Sequence, residues 1–69
     1  MSDQDFLKQI GKRVRAARIA RGLSQNKFSK LMGLNEKTIV CMELGKSDAQ
    51  ILTYKKVAEG LGLEIQDFL

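Results

Sequence analysis

The stretch FSKLMGLNEKTIV, residues 28–40, carries a helical apolar pattern that breaks at Gly33 and resumes at once. Phe28 and Met32 lie four residues apart and face one way, which places them on a helix from Gln25 to Met32 with Ser24 as its N-cap. Gly33 supplies the left-handed backbone that a sharp turn requires, Leu34 follows as an apolar anchor, and Asn35 caps a further helix starting at Glu36. On that helix Ile39 and Met42 point inward, and Gly45 stops it. Two helices this short do not persist in isolation, so each must be packed against the other and against the rest of the chain. The small Ser29 lets the two backbones approach, and the corner so formed can present its second helix as a ridge of the size that enters the major groove of DNA.

Working outward, a preceding helix is predicted from about Asp5 to Arg21, with Leu7, Ile10, Val14, Ala17 and Arg18 on one face and Gly22 ending it. Residues 1–4 are expected to be a flexible N-terminus. After a loop through GKSDA, a fourth helix from about Gln50 to Leu61 turns Ile51, Tyr54, Val57, Ala58 and Leu61 inward, and LEIQDFL offers a short fifth helix with Ile65, Phe68 and Leu69 as apolar contacts. No run alternates with period two for long enough to form a strand. The expectation is an all-α, compact five-helix fold of one domain over residues 1–69, with the helix-turn-helix at 25–44.

A chain of 69 residues that is 43% hydrophobic has room for a single modest core. Its one cysteine, Cys41, excludes an internal disulfide, and the absence of histidine removes the usual zinc-ligand sets and histidine-based catalysis. No nucleophile–base pairing or phosphate-cradling glycine loop is visible, so an enzyme is not expected, and neither is a metal or cofactor. No apolar run approaches a membrane span, and the opening MSDQDFLKQI carries acids where a signal peptide would need basic residues, which points to the cytoplasm. The net charge of +4 is unevenly spread: from Lys8 to Lys30 there are eight basic residues and no acidic one, while the segments on either side are each net negative. An electropositive first half suits a polyanionic partner, nucleic acid above all.

Four ordered fragments, VRAARIARGLSQ, FSKLMG, LNEKTIVCMELGK and YKKVAEGLGLEIQDFL, together resemble the phage repressor and Cro type of helix-turn-helix DNA-binding domain, the Xre-like regulators, over Gly11 to Leu69. The resemblance implies that Gln25 touches a DNA phosphate and braces the reading helix, and that Ser24, Asn26, Thr38 and Lys46 also lie along the backbone phosphates. A physical reason supports the first group, because the free N–H groups and positive dipole end of a helix N-terminus attract a phosphate. It further implies a structural salt bridge between Arg18 and Glu43, so that Arg13, Arg15 and Arg21 remain for long-range attraction while Lys12 and Lys30 are unassigned. It also implies binding to double-stranded DNA as a homodimer in a bacterial or phage setting, with Ile65, Phe68 and Leu69 as the dimer interface.

Base reading then falls to the outward face of the helix at 36–44, where Glu36 can accept from cytosine N4, Lys37 can donate to guanine O6 and N7, Val40 can pack on thymine methyls, and Cys41 is either a small apolar contact or a reactive thiol. Here the chain departs from the family, whose members often carry polar residues where this one has Val40, Cys41 and Leu44. The implied function is a sequence-specific regulator, a repressor occupying a two-fold-symmetric operator. That apolar face, with Leu31, motivates a competing expectation of a protein-binding module on the same scaffold. An antitoxin or phage-immunity component would use the same domain.

Overall fold

The computed structural model describes residues 3–46 and 51–68, with side chains described at all of these except 3, 4, 51, 65 and 68. Among the described residues four α-helices follow one another, α1 (Asp3–Ala20), α2 (Gln25–Met32), α3 (Glu36–Glu43) and α4 (Ile51–Gly60), and a 3-10 turn occupies Ile65–Phe68. Helix α1 begins at Asp3, two residues before the start expected from sequence, so positions 3 and 4 of the expected flexible segment are helical. Residues 47–50, within the expected loop after α3, lie outside the described residues.

The expected fifth helix is a 3-10 turn. Its backbone closes from the Asp67 N–H to the Glu64 carbonyl (2.9 Å), and the Asp67 carboxylate accepts from the Glu64 N–H at 2.9 Å. These reciprocal bonds span three residues, the 3-10 spacing, and so hold the segment to the tighter turn.

The caps explain how two eight-residue helices are held with a three-residue link. Ser24 accepts from the Lys27 N–H at 3.0 Å and Asn35 from the Lys37 N–H at 2.9 Å, each satisfying a donor that has no partner within its own helix. Between them Gly33 adopts φ +67°, and the Leu34 N–H returns to the Ser29 carbonyl at 2.9 Å. This turn ends α2 with the left-handed closure that glycine adopts without a Cβ penalty.

Packing then fixes the corner. Phe28 of α2 and Ile39 and Met42 of α3 are buried with Ile10 and Val14 of α1, Tyr54, Val57 and Ala58 of α4, and Leu61 just beyond it. Each large apolar side chain taken wholly out of water contributes about 1.5–3 kcal/mol, which offsets the ordering cost that α2 and α3 could not meet alone. Helix α1 lies directly on α3: a Cβ built on Gly11 would stand 2.5 Å from the Met42 carbonyl oxygen and 2.6 Å from that of Glu43. Among the described residues no helix is long and apolar enough to cross a membrane.

Candidate nucleic-acid interface

Helix α3 divides lengthwise into an anchored edge and an open one. Ile39, Met42 and Glu43 are buried, whereas Glu36, Lys37 and Leu44 are exposed and Thr38, Val40 and Cys41 are half-buried between them. The period of 3.6 residues produces this division, since positions 36, 40 and 44 lie away from the edge that carries 39 and 42. The open edge offers one carboxylate, one ammonium and a strip of aliphatic and thiol surface, with Cys41 as a free thiol. Glu36 also sits in the first turn of α3, where its charge favours the helix dipole.

The anchored edge is set by a polar cluster. Arg18 of α1 donates through Nε to Glu43 Oε2 at 2.7 Å and through Nη2 to Glu43 Oε1 at 3.0 Å, a two-pronged bridge whose side chains are 8% and 2% exposed. Its third nitrogen, Nη1, donates to the Leu23 carbonyl at 2.6 Å. The hydrogen bond that Arg18 donates to Glu43 raises the Arg18 pKa above the ordinary arginine value; burial acts in the other direction and the nearby carboxylate charge adds to the rise. Gln25 completes the cluster, donating through Nε2 to Glu43 Oε1 at 3.1 Å. The first residue of α2, the last turn of α1 and the end of α3 therefore share one carboxylate.

At the start of α2, Ser24 and Asn26 are exposed and Gln25 is half-buried. The Ser24 hydroxyl is occupied as a cap, and one of the two Gln25 amide N–H groups is occupied by Glu43. Lys46 is exposed just past α3, its own N–H fixed to the Cys41 carbonyl at 2.9 Å. Of the candidate phosphate residues, Ser24, Gln25, Asn26 and Lys46 thus stand at the two ends of the corner, and Thr38 in the first turn of α3. The side chains of Ile65 and Phe68, and the whole of Leu69, lie outside the described residues.

The arginines read from sequence as one diffuse field separate in space. Arg13 donates to the Asp67 carbonyl at 3.5 Å and Arg21 to the Ala17 carbonyl at 3.0 Å. Arg15 instead joins Lys8 and Lys12 along an open cleft of about 520 Å³ between α1 and α3. Val40, Leu44 and Glu43 line its other wall, together with Gln25. The sequence reading gave Lys8 and Lys12 no role, although their spacing with Arg15, four and then three residues, is that of one helix face.

The helix-turn-helix family profile matches residues 14–68. Among solved structures, the restriction-modification controller protein C.AhdI from Aeromonas hydrophila superposes with a TM-score of 0.84 at 30% identity, covering 91% of this chain and 96% of that one. An HTH_3 family transcriptional regulator from Vibrio cholerae gives 0.86 at 31% identity over 97% of this chain, which spans only 38% of that protein. The hypothetical transcription factor NHTF from Neisseria shares the fold, with a TM-score of 0.88 at 22% identity over 100% of this chain and 79% of its own. No curated protein matches the sequence.

Proposed function

The chain belongs to the helix-turn-helix family, and from that premise we propose that it is a DNA-binding transcription regulator that occupies a two-fold-symmetric operator and represses by obstructing polymerase. The observation that carries this reading is the lengthwise division of α3: its inner edge is locked by Ile39, Met42 and Glu43 while Glu36, Lys37 and Val40 face outward. A helix held rigidly on one side and open on the other is what readout in the major groove requires. The names of two similar proteins, a controller protein and a transcriptional regulator, support the same class.

In this reading Lys37 donates to guanine, Glu36 accepts from cytosine, and Val40 and Cys41 meet thymine methyls. Ser24, Gln25, Asn26, Thr38 and Lys46 hold phosphates and set the register of the corner on the duplex. Two copies bind together, through the C-terminal apolar residues Ile65, Phe68 and Leu69, because one unit covers too few base pairs to be selective. The protein works in the cytoplasm, without a cofactor.

Selection of bound sites from a random duplex library, followed by titration of the selected site against random DNA, tests the proposal. A regulator prefers its site by about 10³ or more at physiological salt. The exposed Leu31 (71%) and Leu44 (54%) favour a second reading, a protein-binding module whose α3 meets a partner protein. That module would bind DNA weakly, with salt sensitivity and no sequence preference, so the same titration separates the two.

A further inference from the structure

We propose that Lys8, Lys12 and Arg15 on α1 form a second wall of the interface, gripping the phosphodiester backbone of the duplex whose groove α3 enters. The inference rests on the DNA-binding reading above and extends it to an element outside the helix-turn-helix.

All three side chains are exposed and stand on one stripe of α1. They line the same open cleft as Val40 and Leu44 of α3 and as Gln25 at the start of α2. The cationic stripe and the Val40 and Leu44 part of the open edge of α3 therefore face a common space. The position of the stripe is fixed by backbone packing, because a Cβ built on Gly45 just past α3 would stand 2.7 Å from the Lys8 Cα, and Gly11 is equally close to the Met42 and Glu43 carbonyls.

The charge in the cleft is uncompensated by its own lining. Its one acid, Glu43, already accepts from Arg18 through both oxygens and from Gln25 as well. Arg13 and Arg21 donate to carbonyls elsewhere, so the three cations are a distinct group within the basic first half of the chain. They are arranged as a row about 10 Å long, by the rise of an α-helix, rather than converging on one point. A row matches a line of phosphates better than a single small anion, and a DNA strand provides such a line along the wall of its groove.

The experiment measures affinity for the selected operator and for random duplex as a function of salt. It compares the wild-type chain, the triple variant Lys8→Ala, Lys12→Ala, Arg15→Ala, and a charge-matched control, Lys30→Ala, Lys55→Ala, Lys56→Ala, whose residues do not line the cleft. The triple variant is expected to flatten the plot of log K against log salt by about 2 to 3 per protomer. It should weaken operator and random DNA by similar factors, about tenfold or more, and leave the base preference intact, while the control changes the slope by less than one. An unchanged slope in the triple variant overturns the proposal, and so does an equal change in the control, which would reduce the effect to net charge. A thermal melt checks that the variants fold; if the triple variant melts early, Lys12→Glu alone carries the same test. Wild-type protein that ignores every duplex overturns the DNA reading itself and this inference with it, whereas an operator bound equally by wild type and triple variant removes only the α1 wall.

Discussion

The Glu43 carboxylate accepts from Arg18 and Gln25 while almost wholly out of water, so its loss is felt by three helices together. Glu43→Gln keeps the shape but leaves the buried Arg18 guanidinium without a counter-charge. We expect a loss of about 3 kcal/mol in urea denaturation, a large part of the stability of so small a domain, and a result below 1 kcal/mol would show that water reaches the site. The raised Arg18 pKa adds a sign to this. A cation whose pKa is raised by folding contributes fully below its ordinary value and loses that contribution only as pH climbs through the raised one, so the arginine side of the bridge holds across the neutral range and fails only in strong alkali. In the proposed reading the exposed side chains act on binding instead. Lys37→Ala should reduce discrimination at one base pair by about 1–3 kcal/mol, whereas Lys46→Ala should weaken all sequences alike and lower the salt slope by about one per protomer. Equal losses on operator and random DNA for both variants would refute that division. The Arg18–Glu43 pairing was legible only through family resemblance, since a lone arginine in a basic helix and a lone glutamate 25 residues on carry no mutual signal. No particular role for Lys8 and Lys12 was legible, because a basic residue on a basic helix reads as a solvated face until the opposite wall of the cleft is known.

Two glycines show how differently elements depend on the same residue type. Gly33 joins α2 to α3 at φ +67°, and a Cβ there would meet nothing nearer than the Lys56 Nζ at 4.0 Å, so Gly33→Ala costs only the backbone strain, about 1 kcal/mol. Gly11 lies inside α1, where alanine is intrinsically the better helix former by about 1 kcal/mol. Its Cβ would nevertheless run into the Met42 and Glu43 carbonyls, and backbone cannot yield as a side-chain tip can. We therefore expect Gly11→Ala to be the more destabilising of the two in thermal denaturation, by about 1–3 kcal/mol net of the helix gain. A Gly11→Ala protein that melts higher than wild type would mean that α1 and α3 can separate at no cost. The contrast also marks what sequence could show about the fold. Helices α2 and α3 were legible to within a residue because Ser24, Gly33 and Asn35 are local signals, and the buried set of Ile10, Val14, Phe28, Ile39, Met42, Tyr54, Val57, Ala58 and Leu61 followed from periodicity. The demand at Gly11 was not legible, because it is set by a helix some 30 residues away. Nor was the 3-10 character of Ile65–Phe68, which depends on Asp67 closing onto Glu64.

At the scale of the molecule, size and charge bear on how two copies would share an operator. The chain extends 32 × 22 × 20 Å, and its long dimension is close to one turn of B-DNA, about 34 Å. In the proposed dimer the two units occupy half-sites about one helical turn apart on one face of the duplex. In the proposed reading a single unit, reading bases through one eight-residue helix, offers limited discrimination, and the net charge of +4 favours attraction to any duplex. Selectivity of the proposed dimer then depends on the second half-site being presented to the second copy at the correct rotation. Inserting about five base pairs between the half-sites, half of a helical turn, moves one site to the opposite face of the duplex; inserting about ten returns it to the same face at a greater distance. In a titration followed by gel shift, the half-turn insertion should abolish cooperative binding and leave the affinity of an isolated half-site. The full-turn insertion should restore the alignment but not the contact, so cooperativity returns only as far as the proposed dimer contact can still form. Identical isotherms for all three spacings would mean that each copy binds alone, and recognition by one short helix and its phosphate clamps would then have to supply the whole preference.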